Sequence, residues 1–201
     1  PITIEKELAI LNNLEGVEEF IFQNYCENGS EGRLYFSSEN GRKIDAMRQQ
    51  IEAWKSAHKI NEDTYYFLLA SLIESADKVA NTASVYGAYL KKIKKSAQKK
   101  LVIQPAVFEL TKSPHQVFNE DGNTLIKKIK GDILYLDPPY NARQYGSNYH
   151  LLTTIAKYDT FKPLGKTGLR SYYKSSYCKK NEVKKSFVEL IKNANFKYIF
   201  L

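Results

Sequence analysis

Residues 133–140 read Ile-Leu-Tyr-Leu-Asp-Pro-Pro-Tyr, an apolar run that stops abruptly at Asp137. Bounded by Gly131-Asp132 and by the prolines, the four apolar residues predict a buried strand of a parallel sheet. Asp137 is then expected at the carboxyl end of that strand, where open α/β sheets bind their ligands. Two prolines allow neither a continued strand nor the start of a helix, so they hold the backbone after Asp137 rigid and extended.

A proline-rich turn with a capping aspartate is the plainer interpretation of residues 137–140. At average composition, four specified residues match by chance in a chain of this length on the order of one time in a thousand. The strand pattern in front of them makes such a coincidence rarer still. The motif therefore indicates a functional site.

This Asp-Pro-Pro-Tyr tetrapeptide resembles the catalytic motif of the DNA adenine-N6 methyltransferases. Residues 137–159 as a whole look like the extended motif of the Dam-like group and of the methylases of type IIS restriction systems. Residues 70–100 also resemble these methylases. The resemblance implies an α/β, partial Rossmann-like methyltransferase fold that uses S-adenosylmethionine and carries a helical insertion. It also implies a restriction-modification enzyme that methylates the N6 amino group of a flipped adenine in double-stranded DNA.

The residue types in the motif suit methyl transfer to an amino group, whose nitrogen is a poor nucleophile because its lone pair is shared with the ring. The Asp137 carboxylate and the Pro138 carbonyl would accept its two hydrogens and favour a tetrahedral, attacking nitrogen. Because the target atom is unreachable inside a duplex, the base must be flipped out. Tyr140 would then stack on it. The predicted catalytic residues are Asp137, Pro138, Pro139 and Tyr140.

The resemblance further implies residues that hold the cofactor. Asp121, which ends a predicted strand, matches the acidic position that contacts the adenosyl moiety, and Asp137 would help to hold the methionine amino group. An Asp-Gly turn before a helix explains Asp121 equally well. A glycine-rich loop of the Phe-x-Gly-x-Gly kind, which lets the backbone approach the cofactor closely, has no match in the 201 residues. We therefore expect a fragment of a longer enzyme, with weak or no cofactor binding by the chain alone.

The charge of the chain favours a nucleic-acid partner only weakly. Its 30 Lys and Arg residues against 22 Asp and Glu give a net charge of +8 and a pI near 9.2. A helix beginning at Asn81-Thr82 would place the lysines after residue 90 opposite an aromatic face. A solvated face is the plainer interpretation, but beside a base-modifying motif contact with phosphates is favoured. The predicted DNA-binding residues are Lys91, Lys92, Lys94, Lys95, Asn141 and Arg143.

Three segments are predicted from periodicity and resemblance. Residues 1–39 form an irregular and helical lead-in, residues 40–100 a helical, basic insertion for DNA target recognition, and residues 101–201 the catalytic α/β part. The loop 165–170 is basic and lies beside tyrosines, which suits DNA contact, although an ordinary surface loop explains it as well. Local patterns predict helices over 5–14, 40–57, from Asn61 and over 124–130, and an irregular or hairpin-like region over 20–36.

Other chemistries fit the sequence less well. Methylation of cytosine at carbon 5 needs a thiolate in a Pro-Cys context, but Cys26 and Cys178 each follow a tyrosine. The scattered histidines do not suggest a metal site, so no metal is expected. The sequence has no secretory signal and no apolar run long enough to cross a bilayer, so we expect a cytoplasmic protein without a membrane partner.

Two other functions stay open at this point. One is methylation of another planar nitrogen, such as the cytosine amino group or an RNA adenine. The other is a DNA-binding module without activity. Aspartate, rather than serine, at the first motif position and the helical insertion favour DNA adenine as the acceptor.

Overall fold

A computed structural model of the chain describes residues 4–109, 111–139 and 141–201. Contacts divide the described chain into two compact units. The helical unit comprises the described residues up to Phe108 together with Ser147–Ser171, and the sheet unit comprises Glu109–Gly146 and Tyr172–Leu201. The described helices are α1 (Ile4–Asn13), α2 (Phe20–Tyr25), α3 (Ser38–Ser56), α4 (Glu62–Lys78), α5 (Gly122–Leu125), α6 (Tyr145–Asn148), α7 (His150–Lys157) and α8 (Val183–Asn193). The described strands are β1 (Lys130–Tyr135) and β2 (Asn195–Phe200).

The helical unit is built on α3 and α4, and both begin at the caps that their sequences provide. The side chain of Ser37 accepts a hydrogen bond from the Asn40 amide, and that of Asn61 accepts one from the Thr64 amide. Apolar side chains at helical spacing fill the interior between them, among them Ile44, Met47, Ile51, Leu68 and Leu72. The helices predicted over residues 5–14, over 40–57 and from Asn61 are thus confirmed.

The irregular or hairpin-like region predicted over residues 20–36 is wrong for its first part, which forms α2, whereas residues 26–36 are irregular, with an isolated bridge between Cys26 and Phe36. The residue before α2, Glu19, makes no side-chain cap. The fully buried Asp45 of α3 supplies that cap from a distance, and its carboxylate accepts hydrogen bonds from the amides of Ile21 and Phe22 at 2.9 and 2.8 Å. The Tyr158 hydroxyl donates to the same carboxylate at 2.6 Å. One buried carboxylate therefore ties α2 and the end of α7 to α3.

Arg48 stabilises the carboxyl end of α7. Its buried guanidinium donates to the carbonyls of Ile155 and Ala156, each at 3.2 Å, in the last turn of α7. These carbonyls lack partners within the helix, and a cation there is also favoured by the helix dipole. Segment 147–171, which follows the motif in sequence, is thereby built into the helical unit.

The basic helix predicted from Asn81 is also wrong, because residues 81–100 form turns and bends. Asn81 is fully buried and does not cap a helix. Its amide nitrogen donates to the carbonyls of Leu34 and Leu90 at 2.8 and 3.0 Å, and its oxygen accepts from the Lys94 amide at 3.0 Å. These bonds compete with the helical ladder and hold the segment in an irregular path. We call residues 81–100 the basic loop.

In the sheet unit, β1 and β2 pair in parallel, with Gly131 opposite Phe196 and Tyr135 opposite Phe200. Parallel neighbours require a crossover, and α8 lies between them in sequence. The predicted parallel strand is therefore present, but the predicted burial is wrong, since Ile133 and Tyr135 are 63% and 73% exposed. In the described part of the chain β1 pairs with β2 alone, and a sheet of that width leaves its apolar side chains in contact with solvent.

Candidate active site

The motif begins where β1 ends. The Leu136 amide still donates to the Phe200 carbonyl at 2.9 Å, so strand pairing continues up to the residue before Asp137. The Asp137 side chain is exposed, and no hydrogen bond joins its carboxylate to any residue that the structure describes. Pro138 and Pro139 follow and are partly buried. Tyr140 lies outside the described residues. An unengaged carboxylate at the carboxyl end of a parallel strand is free to accept a ligand's hydrogens.

The loop after the motif is held in a defined turn. The Asn141 side-chain oxygen accepts a hydrogen bond from the Arg143 amide at 2.8 Å, which is an Asx turn. The Cys178 thiol lies 3.5 Å from the Arg143 carbonyl, and the Ser175 amide donates to the Gln144 side chain at 2.8 Å. These bonds fix the backbone of Arg143, while its side chain stays exposed.

A cleft of about 400 Å³ adjoins this loop. Ligand pockets begin at about 300 Å³, so the cleft is large enough to hold part of a ligand. Its lining includes residues that the sequence analysis did not single out. The side chains around the cleft are those of Asn141, Ala142, Tyr177, Cys178, Lys180 and Val183. The one sequence signal for these residues is the mixture of tyrosines and lysines in residues 172–180.

Asp121, the predicted adenosyl contact, caps a helix. Its carboxylate accepts a hydrogen bond from the Thr124 amide at 3.1 Å at the start of α5, and the Tyr173 hydroxyl donates to it at 3.3 Å. The residues just before Asp121 form no strand, so the predicted strand is wrong. The helix predicted over 124–130 is instead the shorter α5: the Asp121 cap starts it at Gly122, and it ends at Leu125, before β1 begins at Lys130. The contact of Asp121 with a cofactor stays a prediction.

The predicted DNA-binding lysines all lie on the basic loop in the helical unit, whereas Asn141 and Arg143 belong to the sheet unit. Lys91, Lys92 and Lys95 are exposed. The Lys94 ammonium group donates to the Thr82 carbonyl at 2.7 Å, so it also holds the loop together. The structure thus presents three of the four lysines as solvated charges.

Residues 4–109, 111–139 and 141–201 contain neither a metal-binding cluster nor a membrane-spanning helix. No group of three or more His, Cys, Asp or Glu residues could hold a metal ion there. Within those ranges, no helix is both long and apolar enough to span a bilayer.

A chain of mixed helices and parallel strands, with Asp-Pro-Pro at the end of one strand, is consistent with an α/β methyltransferase. The sequence profile of the D12 class N6 adenine-specific DNA methyltransferases matches residues 3–201. The chain belongs to this family.

Individual relatives agree with the family assignment. The chain is 62% identical over 194 residues to the type II methyltransferase M.NlaIII of Neisseria lactamica, covering 96% of this chain and 58% of that protein. It is 45% identical over 205 residues to the type II methyltransferase M.FokI of Planomicrobium okeanokoites, covering 100% of this chain and 32% of the relative. M.CviAII of Paramecium bursaria Chlorella virus 1 is 47% identical over 178 residues, 88% of this chain and 52% of the relative.

The chain therefore spans 58% or less of the length of these relatives. No solved structure matches it significantly.

Proposed function

We propose that this chain contributes the base-holding part of a DNA adenine-N6 methyltransferase of a restriction-modification system, with S-adenosylmethionine as methyl donor. The observation that carries the proposal is the position of Asp137. Its exposed, unengaged carboxylate follows directly on the last hydrogen bond of a parallel strand, and two prolines follow it. Membership of the D12 class and the type II methyltransferases among the relatives support it.

The chemistry assigned to the motif is the activation of an amino group. The Asp137 carboxylate and the Pro138 carbonyl accept the two hydrogens of the adenine amino group, which withdraws its lone pair from the ring. The backbone at Pro138 and Pro139 has little freedom, so these acceptors need no reorganisation when the base arrives. Tyr140 stacks on the flipped base, an interaction worth about 1–3 kcal/mol.

The side chains at the strand end suit the proposed methyl donor. The Asp137 carboxylate has free lone pairs for the amino group at the methionine end of S-adenosylmethionine. The Asp121 carboxylate, which accepts from the Tyr173 hydroxyl, retains acceptor capacity for the amino group of the cofactor's adenine ring. When bound, S-adenosylmethionine would supply an electrophilic methyl group on a sulfonium. The contribution of these two residues is to hold and orient it.

We also propose which parts of the chain form the methyltransferase sheet and which recognise DNA. We infer that β1 and β2 belong to a Rossmann-like sheet, which their parallel pairing and the crossover through α8 support. Residues 40–100 act as the DNA target-recognition insertion, between a lead-in over 1–39 and the catalytic part over 101–201. The exposed Lys91, Lys92 and Lys95 support this role, since cations on a shaped loop suit phosphates.

The test is transfer of a labelled methyl group to duplex DNA by the full-length protein. Replacement of Asp137 by alanine is expected to lower kcat by at least about 100-fold, the usual effect of removing one preorganised polar group. Asp132→Ala is the matched control, because Asp132 is an exposed aspartate on the same strand. Transfer that survives in Asp137→Ala would refute the catalytic assignment. Methylation found only on cytosine or on RNA would refute the proposed acceptor.

A further inference from the structure

Residues 164–169 form a tight turn in the helical unit, with a backbone fixed by hydrogen bonds and by two glycines. Leu164 and Leu169 exchange both backbone hydrogen bonds, each at 2.8 Å. Gly165 and Gly168 adopt positive φ angles of 66° and 70°, which favour glycine. The tip between the glycines carries Lys166, which is exposed. We call residues 164–169 the glycine turn.

A buried arginine holds the glycine turn by donating hydrogen bonds to its carbonyls. Arg33 is only 6% exposed, and its guanidinium donates to the carbonyls of Gly165 and Lys166, each at 3.2 Å. The Tyr25 hydroxyl donates to the Gly168 carbonyl at 2.7 Å. A surface turn whose carbonyls are held by buried donors has little conformational freedom left to lose on binding.

A third buried side chain, that of Tyr35, contacts both the glycine turn and the basic loop. The Tyr35 hydroxyl lies 3.2 Å from the Thr167 carbonyl of the glycine turn and 2.8 Å from the Tyr86 carbonyl of the basic loop. His150 Nε2 lies 3.0 Å from the same Tyr86 carbonyl. Because a carbonyl only accepts, this nitrogen carries the proton and donates. The glycine turn and the basic loop therefore meet at one buried hydroxyl group.

The charges around the glycine turn leave its lysine uncompensated. Arg170 forms a bidentate ion pair with Asp159 at 2.7 and 2.9 Å, and Arg33 pairs with Glu31 at 2.9 Å. These two carboxylates are neutralised. The Lys166 ammonium group makes no hydrogen bond or ion pair within the described chain, so it remains available to an anionic partner.

We propose that the glycine turn is a preformed DNA-contacting element, in which Lys166 binds a backbone phosphate, and that Tyr35 is a positioning residue. Tyr35 sets the turn in register with the basic loop, so that both segments contact one duplex together. This inference rests on the proposed function and adds to it a second contact segment and the residue that aligns the two. DNA is the partner because Lys166 and the basic-loop residues Lys91, Lys92 and Lys95 are exposed cations, the kind of side chain that binds backbone phosphates.

The first experiment measures the affinity of the full-length protein for duplex DNA containing its methylation site, at several salt concentrations. Lys166→Ala is expected to weaken binding and to lower the slope of log K against log salt concentration by about 0.9, the value for one lost phosphate contact. KM for DNA should rise while kcat stays unchanged. The matched control is Lys59→Ala, an exposed lysine that follows the carboxyl end of α3 and belongs to neither the glycine turn nor the basic loop.

The second experiment tests the positioning role with Tyr35→Phe, which keeps the ring and removes the hydroxyl. This variant should also raise KM for DNA without changing kcat. Combined with Lys166→Ala, it should weaken binding less than the sum of the two single effects, because both act through the same contact. A purely structural tyrosine would lower Tm and leave this coupling at zero.

Two results would overturn the inference: an unchanged salt slope in Lys166→Ala, or full additivity of the two substitutions. Either can occur while the protein still methylates adenine, in which case only the inference fails. If no DNA is methylated but Lys166→Ala still lowers the salt slope and couples to Tyr35→Phe, the proposed function fails and the DNA-contacting turn stands.

Discussion

His150 is fully buried, and its titration is expected to make the stability of the helical unit depend on pH. Burial lowers the pKa of its imidazole from 6.5 to about 4. The unfolded chain therefore binds this proton more readily than the folded chain. The contribution of His150 to the free energy of unfolding is complete above pH 6.5 and is lost as the pH falls towards 4. The total loss is about 3 kcal/mol.

Urea unfolding between neutral pH and about pH 4.5 measures this loss, with His150→Gln as the control. Glutamine keeps an N–H donor for the Tyr86 carbonyl but cannot titrate. The difference in unfolding free energy between the two proteins isolates His150 from the carboxylates that titrate in the same range. A difference that stays constant over this range would show that the folded imidazole titrates normally.

Residues that belong to a short motif could be predicted from the sequence, whereas residues whose role depends on contacts far along the chain could not. Asp137 is recognisable because strand, aspartate and prolines follow one another in the chain. Tyr25 bonds to Gly168 across 143 residues, and Tyr35 bonds to Thr167 across 132. No local pattern marks a tyrosine as the anchor of a turn so far along the chain.

The two glycines of the glycine turn provide a matched pair of positions for substitution. Both lie near φ +70°, so alanine at either position costs about 1–2 kcal/mol of backbone strain. A Cβ at Gly165 would meet no atom within 4 Å, but a Cβ at Gly168 would lie 2.7 Å from Tyr25 Cε1 and 3.2 Å from Arg33 Cδ. Gly168→Ala should therefore cost about 1–3 kcal/mol more than Gly165→Ala.

Urea unfolding of the two variants, followed by the fluorescence of Trp54 in the helical unit, tests this difference. Trp54 is the sole tryptophan of the sequence, and it packs partly buried against the core. Equal destabilisation by the two alanines would mean that Tyr25 and Arg33 move aside without cost. The glycine turn would then be less firmly fixed than its contacts indicate.

Elements with strong periodicity and their own caps were predicted well, as α3 and α4 show. The errors fell where a buried polar side chain from elsewhere decides the local backbone. Asp45 supplies the cap of α2 from another helix. Asn81, which resembles a helix cap in sequence, instead bonds to three backbone groups and prevents the helix after it.

Buried apolar side chains are distributed unevenly between the two units. Among the described residues of the sheet unit, the buried apolar side chains are Ile126, Cys178 and Leu190. The helical unit contains all the others, including those of α3 and α4. Because burial is the main favourable term in folding, the two units should differ in local stability.

Hydrogen exchange on this 201-residue chain tests the difference. The amides that join β1 to β2 should exchange at least about 100-fold faster than those in the middle of α3, equivalent to about 3 kcal/mol in opening free energy. The reason is that Ile133, Tyr135 and Phe200 are each more than half exposed, so opening the sheet costs little apolar burial. Measurement in low urea separates local from global opening. If the β1 amides exchanged only by the global unfolding that releases α3, the helical unit would have to stabilise the sheet cooperatively.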